Sequence, residues 1–174
     1  MNKTLPDKWI RKAIYDAINN AIVVNLLTEE VVLLENIDGD NINTGGGSLL
    51  SSTPWISVPC YDTRVTANGG KNHYVLMTTQ TNTVNKDTKC DNSWESSILL
   101  DIVTSFSGAG NTGSRLLADS ILDKVRELTD VLVLDANSGL KIITQTQDFP
   151  NDLSTITTTE NIFRKFMRIE LFIV

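Results

Sequence analysis

The stretch SILLDIVTSFSGAGNTGSRLLADSILDKVRELT, Ser97–Thr129, holds a strand pattern, a glycine-rich turn and a helical pattern in one continuous run. Ile98, Leu100, Ile102 and Phe106 recur with period two, the signature of a strand with one buried face. Leu117, Ile121, Val125 and Leu128 recur at helical spacing, with Ala118 and Leu122 widening the stripe. One face of each must leave water, and the simplest way is for each to cover the other. The turn between them, Ser107–Gly113, resembles a phosphate-binding loop, so one place raises two questions: how the chain packs, and whether it is an enzyme.

Outward from this unit, the N-terminal side opens with an amphipathic helix. Thr4 and Asp7 stand at capping-box spacing, Pro6 is placed early, and Ile10, Ala13, Ile14, Ala17, Ile18 and Ala21 form the stripe. Two apolar clusters follow, Ile22–Leu27 and Val31–Leu34, which fit a continued helix or, preferably, a β-hairpin. Residues 36–53 are rich in Gly, Ser, Asn and Asp, and the stretch 22–53 is expected as a flexible hairpin or loop insertion. Trp55–Thr63 is expected as one strand with Pro59 at an edge or bulge, forming a hairpin with Tyr74–Thr79 across the turn Asn68-Gly69-Gly70. The polar stretch 82–93 is either a long connection or an extension of a hairpin.

On the C-terminal side come the short apolar run Val131–Leu134, a turn at Asn137-Ser138-Gly139, and a Thr- and Ile-rich strand over Leu140–Gln147. The chain closes on Ile162–Val174. There Phe163, Met167, Ile169, Leu171 and Ile173 share one face, while Arg164, Arg168 and Glu170 share the other with Phe166 and Phe172. Strands arrive in runs rather than alternating with helices. The expected class is therefore α+β, a mainly antiparallel sheet with two helices packed on one face, in a single domain over 1–174.

Composition narrows the function. Fifteen basic residues against twenty-one acidic ones give a formal charge of −6, against a surface that grips nucleic acid through phosphates. The two cysteines, Cys60 and Cys90, match no zinc spacing, and with a single histidine a metal site would lack ligands. They read as free thiols of a reducing compartment, or as a disulfide joining the flanks of a hairpin. No run approaches the roughly 18 apolar residues that span a bilayer, so no membrane partner is expected.

Three chemical candidates stand out. Gly108 and Gly113 have the glycine spacing of a Walker A loop, but Ser114 occupies the lysine position and Arg115 the hydroxyl position. The competing reading is a tight strand-to-helix reversal with Asn111 or Thr112 as helix cap. His73, beside a glycine turn, reads as a surface residue rather than a general base, since no neighbouring group would orient it. Asp119, Asp123 and Glu127 line one helix flank, but Arg115, Lys124 and Arg126 are interleaved, which favours a solvated charged face over a cation site. No catalytic, cofactor or metal residue is assigned.

The order of elements resembles that of tail-terminator (tail-completion) and head-to-tail connector ring proteins of double-stranded-DNA bacteriophages. The resemblance is carried by the helix Ile10–Ile18, the strand ending Val58-Pro59-Cys60-Tyr61-Asp62, and Tyr74-Val75-Leu76-Met77. Trp94-Glu95, the helix Leu116–Leu122 and the terminal Arg168-Ile169-Glu170-Leu171-Phe172 complete it. It implies a non-enzymatic virion protein, assembled in the host cytoplasm as a six- or twelve-fold homo-oligomeric ring. Its partners would be portal, neck or tail-tube proteins, with genomic DNA passing through the channel without sequence-specific binding. The stretch 22–53 is longer than the family's link. Candidate subunit or partner contacts are Asp38, Gly46, Leu49, Asn68, Asn82, Lys86, Arg164 and Arg168. The alternatives are a nucleotide- or phosphate-binding enzyme using Gly108–Ser114, and a host-directed module carried by 36–53.

Overall fold

The period-two run at Ile98–Phe106 is the middle of a longer strand. In a computed structural model, described over residues 5–36, 42–43, 55–63, 73–85, 93–107, 113–150, 152–156 and 160–174, that strand is β7, Ser93–Ser107. Before it come α1 (Asp7–Ile18), β1 (Ile22–Asn25), β2 (Val31–Leu33), β3 (Ile42–Asn43), β4 (Trp55–Val58), β5 (Cys60–Asp62) and β6 (His73–Asn85). After it come α2 (Arg115–Leu128), β8 (Ile142–Asp148), β9 (Leu153–Ile156) and β10 (Glu160–Ile173). The larger sheet runs β5-β6-β7-β10-β8, with β9 also on β10; the smaller runs β2-β1-β4-β3. The class is α+β with mainly antiparallel pairing, as the sequence pattern indicates; the parallel pairs among the described strands are β3–β4 and β5–β6.

Register puts the apolar faces in line. Leu100 lies opposite Met167 on one side and Met77 on the other, and Ile98 lies opposite Ile169, giving a continuous patch across β6, β7 and β10. α1 brings Ile10, Ile14 and Ile18 to this core, and α2 brings Leu117, Ile121 and Val125; all are at most 2% exposed. Each such side chain contributes on the order of 1.5–3 kcal/mol by leaving water. Both helices therefore cover one face of the larger sheet. One cation shares that face: Lys165, opposite Ile102, reaches Asp119 of α2 at 2.7 Å and Asp152 before β9.

The stretch 22–53 is not a flexible insertion throughout. Ile22–Val24 are fully buried, and Ile22, Val24 and Leu33 belong to the core, because the β1–β2 hairpin turns its apolar residues toward α2. Asn25 closes that hairpin by accepting from the amides of Leu27 and Thr28, so the hairpin and not the continued helix is formed. Residues 37–41 and 44–54 lie outside the described residues.

Trp55–Thr63 is likewise two strands. Pro59 has no amide proton to give a ladder, and there the chain passes from β4 in the smaller sheet to β5 in the larger. β5 then pairs with β6 in parallel rather than as the expected hairpin, with the Pro59 carbonyl accepting from Val75 at 2.9 Å. The polar stretch after residue 82 extends the β6–β7 hairpin as far as Asn85 opposite Ser93. Val131–Leu134 forms no strand; Leu132 and Leu134 are buried while Val131 and Val133 are 79% and 77% exposed.

The helix starts differ from the sequence reading. Pro6 occupies the cap of α1 without a side-chain cap, its carbonyl accepting from Trp9 and Ile10, while Asp7 accepts from Asn82 of β6. Thr4 lies outside the described residues. Ser114 caps α2 by accepting from the Leu116 amide at 3.0 Å; Asn111 and Thr112 lie outside the described residues.

Leu100→Ala should cost about 2–5 kcal/mol, read from the midpoint shift in denaturant unfolding, because it opens a cavity in the core, where Leu100 is fully buried between Met77 and Met167. Ile121→Asp should leave no cooperative transition, since it buries an unpaired charge at the same place.

Candidate subunit interface

The larger sheet has a second face that no described helix or strand packs over. Its side chains alternate with the core residues: Leu99, Asp101 and Val103 on β7, Arg164, Phe166, Arg168, Glu170 and Phe172 on β10, Tyr74 and Leu76 on β6, and Tyr61 on β5. None of these joins the core cluster or packs against it. Leu76, Leu99, Phe166 and Phe172 are half-buried, an apolar and aromatic surface on a single layer of backbone.

Charge on this face is organised around Asp101, whose side chain is 0% exposed between Leu76 and Phe166. A carboxylate so placed needs a partner. Arg164 supplies it from β10, with Nε 3.2 and 3.1 Å from the two carboxylate oxygens and Nη2 closer still. That hydrogen bond raises the Arg164 pKa further above its ordinary value, so the guanidinium is charged at every accessible pH. Its carbon centre stands 5.4 Å from the centroid of Phe166, and Tyr61 meets Tyr74 edge-on at 5.8 Å. Burial, and then the Asp101 charge, raises the Tyr74 phenol above its usual range, so it stays a neutral donor. The result is a fixed Arg–aromatic patch of the composition that dominates protein–protein contacts.

Toward one end the face turns polar. A shallow groove of about 510 Å³ runs over Thr81, Thr83, Glu95, Ser97, Thr144, Thr146 and Glu170, with Phe172 in its wall. The carboxylates of Glu95 and Glu170 give it an acidic character. Among the described residues no group of three or more metal-ligating side chains gathers there or elsewhere.

Of the candidate contacts, Arg164 and Arg168 lie on this face, and Arg168 is half-buried opposite Leu99. Asn82 lies on the helix side of β6, where it donates to Asp7 within the chain. Asp38, Gly46, Leu49, Asn68 and Lys86 lie outside the described residues. The sequence reading missed Asp101, Tyr61 and Tyr74. Asp101 carried a signal, since it is the single charge inside Ile98–Phe106 and falls off the core-facing period.

His73 is not at the surface. It opens β6 at a helix-side position opposite Thr104, is 2% exposed, and its ring centroid lies 5.3 Å from that of Phe106. In the glycine-rich turn, residues 108–112 lie outside the described residues, but Gly113 and Ser114 have defined roles. Gly113 has a φ of +90°, and a Cβ there would run into the Phe106 ring, so only glycine fits. The Ser114 hydroxyl is taken up by the helix cap. On α2, Asp119 binds Lys165 and Glu127 binds Lys124 at 2.9 Å, consistent with a charged flank that is paired internally. Cys60 is a buried free thiol, and desolvation pushes its pKa up to about 12; Cys90 lies outside the described residues.

No protein-family model and no curated protein matches the sequence. Among solved structures, a chain described as "Virion of native gene transfer agent (GTA) particle" superimposes with a TM-score of 0.41 at 13% identity. The match covers 64% of this chain and 77% of that one.

Three outcomes follow from this geometry. Arg164→Ala strands the Asp101 carboxylate and should cost about 2–3 kcal/mol in denaturant unfolding, less than for a fully enclosed pair because Arg164 is itself 39% exposed. Ser114→Ala removes one cap and should cost about 1 kcal/mol with helix content otherwise kept. Cys60 should resist thiol reagents in the folded state at pH 8. Its raised pKa means the folded chain holds a proton the unfolded chain gives up, so this stabilisation is intact below about pH 9 and falls as pH climbs toward 12.

Proposed function

We propose that the chain is a structural virion subunit of a double-stranded-DNA bacteriophage that assembles into a closed ring at the head-tail junction or tail. In this reading it is a tail terminator or a neck ring, and it carries out no catalysis. The observation that carries the proposal is the open face of the larger sheet, where Tyr61, Tyr74, Leu76, Leu99, Phe166 and Phe172 surround the Arg164–Asp101 pair. A soluble domain rarely leaves such a surface to water, and covering it with another copy removes the apolar area.

The element order of tail-terminator and connector proteins supports the same reading. In a ring the contact that covers it is heterologous, with the face of one copy against a different surface of the next. Heterologous contacts that close give rings. The formal charge of −6 suits a channel wall along which DNA slides without being held. Portal, neck or tail-tube proteins would then meet the ring at its two ends.

Phe166→Ser combined with Leu99→Asp tests this reading. Both side chains lie outside the core cluster, so the variant should keep native circular dichroism and cooperative unfolding. Mass photometry of the unmodified protein should show a discrete ring-sized species, and the variant should show no ring-sized species. An unmodified protein that stays monomeric at high concentration and with tail tubes or portal complexes removes the proposal.

A further inference from the structure

Residues 130–134 run as a strand that no described strand pairs with, and one side chain shows it. Gln145 of β8 donates to the Asp130 carbonyl and accepts from the Leu132 amide, each at 3.3 Å. Its side-chain amide thus binds the backbone groups on either side of Val131, as a residue of a parallel strand would. The N–H and C=O of Val131 and Val133 then point to the opposite edge. Neither residue makes a hydrogen bond with a described residue. Burial alternates in step: Leu132 and Leu134 are buried, while Val131 and Val133 are exposed. Beside this edge lies a groove of about 310 Å³, with Val133, Leu134 and Asp135 on one side and Trp9, Ala13 and the Lys12–Asp16 ion pair of α1 on the other.

The groove's chemistry chooses the occupant. Trp9 and Ala13 offer apolar surface, and two carboxylates, Asp16 and Asp135, stand against the single cation Lys12. Lys12 is already bonded to Asp16. Asp135 accepts from the amide and the side chain of Asn137 through Oδ1 alone, and its Oδ2 meets no described donor. Lys8 does not line the groove; its ammonium stands over the Trp9 ring, 4.4 Å from the centroid. We infer that this edge and groove seat an extended peptide segment of another protein, added as a strand beside Val131 and Val133, with a basic side chain lying along Trp9 and Ala13 toward Asp135. Main-chain bonds to the edge supply affinity, and the groove selects the side chain. Gln145 holds the edge in place before the partner arrives, so little freedom is lost on binding. This contact does not rest on the ring reading, since it uses neither the open face nor a second copy.

Titration of the whole protein, followed by NMR and amide hydrogen exchange, tests it. The probe is a short peptide of alternating threonine and valine with one central lysine, blocked at both ends. It should shift and protect the amides of Val131 and Val133. An analogue methylated on every backbone nitrogen should bind about tenfold more weakly. Val133→Pro should do the same while keeping the unfolding midpoint, because the Val133 amide has no partner to lose. Replacing the probe's lysine by glutamate should cost about tenfold in affinity. Asp135→Asn, which keeps an acceptor for Asn137, should erase that preference. No change at Val131 and Val133 with millimolar probe, equal binding of the methylated analogue, or a lysine preference untouched by Asp135→Asn overturns the inference. Protection there that grows with protein concentration before any peptide is added assigns the edge to a second copy and overturns it as well.

Discussion

Everything in this fold depends on β7 being pinned between β6 and β10 in one register. The β7–β10 ladder runs without interruption from Trp94 opposite Ile173 to Ser107 opposite Glu160. Side chains alternate along both strands, so that register decides which residues become core and which become surface. A slip of one residue would put Asp101 and Arg164 under the helices and turn Leu100 and Met167 outward. The helices themselves are modest; α1 lacks a side-chain cap, and what holds it is Ile10, Ile14 and Ile18 on the sheet together with Arg11 bonded to the Thr78 carbonyl and to Asp62.

The same ladder produces the two-sided character that the functional reading uses. One face is covered by α1 and α2, with the β1–β2 hairpin on α2, and no described element covers the other. Asp101 shows the constraint clearly. It is fully buried on a face that no described element covers, because Leu76, Phe166 and Arg164 close around it. Building such a pair costs desolvation that a plain apolar residue would avoid, so its value lies in fixing Arg164 and the neighbouring rings in one arrangement.

Much of this was legible in the sequence, and the reasons differ by element. Period two and period 3.6 are direct consequences of backbone geometry, so β7, α2, α1 and the mixed face of β10 could be read from spacing alone. The two-sheet division could not. It turns on Pro59, which read as an edge or bulge residue inside one strand; only the long-range pairing of Ile22 with Val58 and of Cys60 with Val75 distinguishes that from a passage between sheets. His73 was misplaced for a related reason. Its neighbours in sequence form a turn, but its neighbours in space are Thr104 and Phe106, set by register. On the open face, Arg164 and Arg168 were visible as alternating cations, whereas Tyr61 and Tyr74 join them across strands whose parallel pairing no local pattern reveals.

The central claim is that the open face of the larger sheet is where copies of this chain meet. Electron cryomicroscopy of the assembled protein tests it most directly. The account predicts a closed ring in which Tyr74, Phe166 and the Arg164–Asp101 pair are buried against the neighbouring subunit. An assembly in which that face points to solvent, or a protein that forms no ring, would contradict it.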